Sequence, residues 1–260
     1  MPLTYSSYLQ LDELLSLQRP RSDGPEHDEL LFIIVHQVYE LWFKEMLHEL
    51  DYIMERLEAG DTPPVLHTMK RVLTILKVLV AQLDILETMT PLDFLSFRER
   101  LESGSGFQSC QFRELEFVLG LKDVQAIARF PEGSPERRRL DSRYRNPSLW
   151  LTFLRYLSNN EYDMPAEALA ADPTEPTEPS QLVQQQLIDI YRNDPATTQL
   201  CERLVDLDEG IQEWRYRHVK MVQRTIGTKR GTGGSDGAAY LKTTLFKPAF
   251  PDLWAIRTEL

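Results

Sequence analysis

The strongest periodic signal in the chain lies between Leu200 and Gly227. Leu200, Leu204, Leu207, Ile211, Trp214, His218, Met221 or Val222 and Thr225 recur at alternating steps of four and three, the period of one helix face. Glu202, Asp206, Asp208, Glu209 and Glu213 crowd the first half of this stretch. Arg215, Arg217, Lys220 and Arg224 occupy the second, a distribution that complements the helix dipole. Gly227 is the expected stop. His218 therefore lies on a stripe that is otherwise almost wholly apolar. A second long pattern runs from Asp28 to Ala59 and has two apolar rows. Leu31, Ile34, Val35, Val38, Leu41 and Trp42 form one; Phe32, His36, Glu40, Phe43 and Leu47 form the other. A helix apolar on two faces is surrounded by protein, or by a cofactor on one side. His36 sits between Phe32 and Phe43 on the second row.

A third helix is predicted over Val65 to Glu87, with Leu66, Met69, Val72, Leu73, Leu76, Leu79, Val80, Leu83 and Leu86 inward. Thr90-Pro91-Leu92-Asp93 then combines a capping residue, a proline at the first helical position and an acid at the third. The short helix it starts places Phe94, Phe97 and Arg98 at i, i+3 and i+4. Ser103-Gly104-Ser105-Gly106 breaks the chain, and residues 107–119 resume a helix with Phe112, Leu115 and Val118 inward. Shorter patterns follow over 149–157, with Trp150 and Phe153, and over 181–191. Residues 130–179 are the least regular part, and 165–180 is an acidic, proline-rich surface loop or linker. At the N-terminus, Tyr5-Ser6-Ser7-Tyr8 precedes Leu9, Leu11, Leu14, Leu15 and Leu17. Two tyrosines ahead of a short helix imply that residues 1–18 form an arm docking on the domain or on a neighbouring subunit. No repeat and no strand-like alternation beyond a few residues is present, so the fold class is all-α, a helical bundle formed by one domain over 1–260.

Composition narrows the partners. The net charge of −11 argues against nucleic acid or an anionic membrane as the main ligand. The basic stretch from Glu136 to Arg145 is a local exception and reads as a solvated face. No uncharged apolar run of about 18 residues and no basic, apolar leader occurs, which points to a cytoplasmic protein. Cys110 and Cys201 carry no pairing signature and are expected as free thiols.

Two imidazoles on apolar rows have two readings each: a core histidine satisfied by a backbone carbonyl, or a neutral ligand and acceptor beside a haem. Arg98 either runs along the phenylalanine rings to water or clamps a carboxylate with its planar fork. The segment from Gly227 to Gly237 has five glycines in eleven residues. It follows a helix and lacks the GxxxxGK[ST] order, so it is not a nucleotide loop. With Lys229, Arg230, Thr232 and Ser235 it is either a mobile linker or a cradle for an anionic small molecule. Glu45-x-x-His48 occurs once, whereas a di-iron bundle needs two such motifs and two further glutamates. HExxH is absent, and no strand precedes a GxSxG to make it a nucleophile elbow.

The blocks LFIIVHQVYELWFKEMLHELD, LETMTPLDFLSFR, SGSGFQSCQFRELE and WRYRHVKMVQRTIGTKRGTGGSDG, in that order, resemble the tryptophan 2,3-dioxygenase family of haem enzymes. The likeness runs from Leu3-Thr4-Tyr5 to the PDLWAIRTEL ending. It implies haem b with His218 as its axial ligand, O2 as co-substrate, and insertion across the indole C2–C3 bond of L-tryptophan to give N-formylkynurenine. It also implies roles for several further residues. His36 would accept the indole N–H, Phe32 and Phe94 would flank the ring, and Arg98 would clamp the carboxylate. Thr232 would hold the ammonium or carboxylate end, with Ser105 and Gly106 at the haem edge, Ser105 near the substrate ammonium or a propionate. Tyr5 and Tyr8 would enter a neighbouring subunit's pocket within a homotetramer, a dimer of dimers. Three positions depart from the family's usual pattern: Phe94 for tyrosine, Leu83 for an aromatic residue, and Asp236 for a small residue. Two alternatives accordingly stay open, a haem mono-oxygenase forming a 2-oxindole from a substituted tryptophan, and a non-catalytic haem sensor.

Overall fold

A computed structural model of the chain describes residues 2–233 and 237–260. It is all-α, with no strand among the described residues. Three long helices form the frame: α3 (Asp28–Glu58), α4 (Thr62–Leu86) and α12 (Pro195–Ile226). Ahead of them stand α1 (Tyr5–Leu9) and α2 (Leu11–Leu15). Between α4 and α12 come α5 (Pro91–Phe97), α6 (Cys110–Val118), α7 (Val124–Ile127), α8 (Pro135–Arg145), α9 (Leu149–Asn159), α10 (Ala166–Leu169) and α11 (Gln181–Asn193). The C-terminal part adds α13 (Ala238–Lys242) and α14 (Pro251–Ala255).

The frame is an α3–α4 hairpin with α12 laid along α4. Val35, Phe43, Met46, Leu50 and Ile53 of α3 meet Val65, Met69, Val72, Leu76 and Leu79 of α4, all within one core that also takes in Leu200, Leu204 and Leu207 of α12. A Cβ on Gly210 would stand 2.5 Å from Leu76 Cδ2, so the crossing of α12 and α4 is close enough that any larger residue would make Leu76 shift. This crossing lies two turns before His218 and fixes where that side chain emerges.

Helix ends follow the local chemistry. Thr90 and Asp93 cap α5 reciprocally with Pro91 at the first helical position, as the sequence predicts. Asp194 caps α12 by accepting from the N–H groups of Ala196 (3.0 Å) and Thr197 (3.2 Å). The helix ends at Gly227, whose φ is +62°. The buried Asp208 carboxylate accepts from Ala249 N–H, Phe250 N–H and Trp254 Nε1–H, which pins the C-terminal segment to α12.

Two expectations change. The first apolar row of α3 is only partly covered in the single chain: Val35 is buried and Leu31 and Trp42 are half-buried against the core, whereas Ile34 and Leu41 are exposed. The basic 136–145 stretch is helix α8, and part of it is paired instead of solvated. Arg139 Nε lies 3.1 Å from a Glu114 oxygen, and Arg143 bridges Glu114 and Asp51. Lys122 caps the end of α8 by donating to the carbonyls of Arg143, Tyr144 and Asn146. Cys110 and Cys201 are free and buried. Among the described residues no helix is long and apolar enough to cross a membrane.

Candidate active site

A cavity of about 250 Å³ opens between α3, α4, α5, α6, α12 and the segment leading to α13. Phe32, His36, Leu83, Phe94, Arg98, Ser105, Gly106, His218 and Thr232 all line it. Residues as far apart as Phe32 and Thr232 thus converge as the sequence reading expects. Tyr5 and Tyr8 do not: both are largely exposed on α1. Ser235 and Asp236 fall outside the described residues.

From α3, Phe32 and His36 face the cavity one turn apart, with ring centroids 4.1 Å from each other. Phe94 and the fully buried Phe97 extend the aromatic wall, 5.8 and 5.6 Å from Phe32. His36 Nδ1 lies 2.7 Å from the Phe32 carbonyl oxygen. A carbonyl only accepts, so Nδ1 carries the proton and Nε2 remains as the acceptor of the neutral ring. Burial holds the proton affinity of His36 below the ordinary histidine value, against the opposing pull of this hydrogen bond and of Glu40.

His218 comes from α12 and stacks on Trp214, with centroids 5.0 Å apart and planes 6° from parallel. Neither ring nitrogen has a hydrogen-bond partner among the described residues, so the carbonyl-satisfied reading of a core histidine does not apply to it. Burial first, then the nearby His36 and Arg113, lower its pKa to about 4. The imidazole is neutral at pH 7 and keeps a lone pair for a metal.

Arg98 follows α5 at the partly exposed edge of the cavity. Its Nη2 donates to the carbonyl of Arg230 in the glycine-rich segment, while its Nε is buried and unpartnered. Thr232 donates its hydroxyl to the carbonyl of Gly104. These two contacts tie the glycine-rich segment to the 98–104 turn. A Cβ on Gly233 would stand 2.7 Å from Ser105 Cβ, so the segment lies directly on Ser105. Ser105 Oγ accepts from Phe107 N–H, and Gly106 presents bare backbone with nothing within 4 Å of a built Cβ.

The comparisons with known proteins agree with this arrangement. A family model described as tryptophan 2,3-dioxygenase matches residues 1–134 and 180–260. The chain belongs to the tryptophan 2,3-dioxygenase family. It is 60% identical over 258 residues to a tryptophan 2,3-dioxygenase of Herpetosiphon aurantiacus, covering 99% of this chain and 98% of the relative. A namesake from an Anaeromyxobacter strain is 59% identical, covering 99% and 96%, and one from Caulobacter vibrioides is 46% identical, covering 99% and 98%. The stretch the family model leaves unmatched, 135–179, holds α8 to α10 and the acidic loop, and none of it lines the cavity.

The enzymes of this family are haem-dependent and use O2. The residues present fit that group. No cluster of three or more His, Cys, Asp or Glu forms among the described residues. The cavity offers one unpartnered neutral imidazole, apolar walls and a bare glycine edge. Arg113, Glu116, Trp214 and Arg215 also line it, and the sequence pattern assigns none of them to the site. Trp214, one turn before His218 on the same stripe, was the legible one.

Proposed function

We propose that this chain is a haem-dependent tryptophan 2,3-dioxygenase that inserts both atoms of O2 across the indole C2–C3 bond of L-tryptophan and releases N-formylkynurenine. The observation that carries the reading is the convergence of two neutral imidazoles, from α3 and α12, on one apolar cavity edged by an arginine. His218 would hold the haem iron, since it is the imidazole without a hydrogen-bond partner among the described residues. When bound, the haem supplies ferrous iron and the activation of O2. The protein's part is binding, orientation and exclusion of water.

His36 accepts the indole N–H at Nε2, because the Phe32 carbonyl fixes the proton at Nδ1. Its role is to set the orientation of the ring; removal of the indole proton is not required of it. Phe32 and Phe94 flank the indole faces. Arg98 takes the carboxylate through the fork edge that its buried Nε leaves open. Thr232 takes the ammonium or carboxylate end from the glycine-rich segment, and Ser105 and Gly106 border the haem. The same reading makes the chain a cytoplasmic single-domain subunit of a homotetramer, a dimer of dimers. In it the exposed Tyr5 and Tyr8 of one protomer reach its partner's pocket.

The test is the product formed by ferrous protein with L-tryptophan and isotopically labelled O2. Two labelled oxygens in an opened ring are expected. One labelled oxygen in an intact five-membered ring would replace the proposal by 2-oxindole formation, and absence of turnover with any tryptophan would replace it by a haem-binding sensor.

A further inference from the structure

The cavity has a cationic end that the substrate roles do not use. Arg113, on α6, is only 9% exposed and lines the cavity. One of its terminal nitrogens, Nη1, donates to Glu116. Its guanidinium stands over the rings of Phe112, at 5.1 Å, and Phe107, at 5.9 Å, which fixes its plane. Its Nε is buried and has no partner, and the Nε–Nη2 edge of the fork is unused among the described residues. Arg215, from α12, is 6% exposed and donates Nη2 to the other Glu116 oxygen at 2.8 Å and Nη1 to the Thr244 carbonyl at 3.3 Å.

Glu116 is thus shared by two guanidinium groups from two helices. Two buried cations and one carboxylate leave an excess positive charge within this cluster, while Glu40, the other carboxylate lining the cavity, accepts from Gln111 Nε2. An unbalanced charge of that kind, with an N–H left unpaired, is unfavourable unless an anion completes it. The free fork edge selects the anion's shape, because it presents two parallel donors that match a planar carboxylate. Arg113 and His218 line the same cavity. The ligand that fills this cavity therefore has an apolar plane near His218 and a carboxylate at the Arg113 end. Haem b, a flat macrocycle with two propionates on one edge, has that distribution.

We propose that Arg113 anchors a haem propionate, with Glu116 and Arg215 acting as positioning residues that hold its fork in place. The inference rests on the haem reading of the cavity. Its experiment compares protohaem with protohaem dimethyl ester, in which both propionates are neutral, on the full-length chain. The readouts are Soret titration and the rate of haem loss to a scavenging apoglobin. Esterification is expected to weaken binding to the wild type about 10- to 100-fold, the range for a charge-assisted hydrogen bond. Wild type that binds both forms equally overturns the proposal.

In Arg113→Gln, haem binding should weaken by a similar factor and the penalty for esterification should largely vanish. A penalty that persists at its wild-type size places the propionate on another cation and overturns the proposal. If Arg113→Gln fails to fold by circular dichroism, Arg113→Lys serves instead. It keeps the charge without the fork and should retain only part of the discrimination; full discrimination would refute the role of the fork. Failure of the haem reading itself is distinguishable, because it shows as absence of any Soret band in the wild type.

Discussion

Replacing Arg98 by alanine separates a substrate clamp from a structural latch. In the ligand-free chain its Nη2 holds the Arg230 carbonyl while Nε is buried and unpartnered, so both roles are available to one side chain. A charge-assisted hydrogen bond contributes about 1.5–3 kcal/mol, and two at this partly exposed edge sum to about 3 kcal/mol, or roughly 150-fold in kcat/KM. Loss of the contact to Arg230 alone contributes about 1.5 kcal/mol, close to tenfold. The assay that divides them compares tryptophan with tryptamine, which lacks the carboxylate. Wild type should prefer tryptophan by about 100-fold or more, and Arg98→Ala should lose most of that preference while its Soret spectrum stays unchanged. Thr232→Val, which removes the companion contact to Gly104 without touching the cation, should lower kcat/KM for both compounds and leave most of the preference. If Arg98→Ala still prefers tryptophan as strongly as wild type, the arginine only latches the glycine-rich segment and the clamp assignment is wrong.

Three further outcomes are expected. His218→Ala should purify without stoichiometric haem, read as a lost Soret band at unchanged helical content, and normal haem content would refute the ligand assignment. Gly233→Ala should lower kcat/KM about 10- to 100-fold with little change in Tm, because the new methyl group falls 2.7 Å from Ser105 Cβ and displaces the segment by a fraction of an ångström to an ångström. Asp194→Ala should lower Tm by about 2–4 °C at pH 7, corresponding to about 1 kcal/mol for a lost helix cap in a chain of this size. Hydrogen bonds from Tyr162, Thr197 and Ala196 hold the Asp194 carboxyl at about 2, below its unfolded value, so its stabilisation is complete above about pH 4 and fades as pH falls towards 2. Linkage alone would give about 2.5 kcal/mol, but the group is partly exposed and solvent screening brings this to about 1. The difference between variant and wild-type melts should therefore shrink as pH falls from about 4 towards 2; a constant difference would refute the linkage.

Much of this architecture is written in local sequence, for physical reasons that also mark where the reading stops. α3, α4 and α12 are long enough for a 3.6-residue period to stand out, and their caps at Thr90, Asp194 and Gly227 are short-range chemistry. His36 and His218 were legible because an imidazole interrupts an otherwise apolar row. Periodicity reports that a face is apolar, however, and not what covers it. Ile34 and Leu41 fit the helical row as well as Val35 does, yet they are exposed on the isolated chain. Partnering of charges is likewise non-local. Arg143 meets Asp51 across 92 residues and Arg215 meets Glu116 across 99, so neither pair leaves a trace in spacing. That is why the 136–145 stretch read as solvated, and why the Arg113–Glu116–Arg215 cluster escaped notice although Arg215 follows Trp214 directly. The i,i+3 spacing of Arg113 and Glu116 is that of any surface ion pair on a helix. Only the fold shows that both face inward, that a second arginine shares the carboxylate, and that one positive charge is left over at the wall of the cavity. Apolar residues declare their burial by pattern, whereas a buried charge declares its purpose only through the partner it lacks.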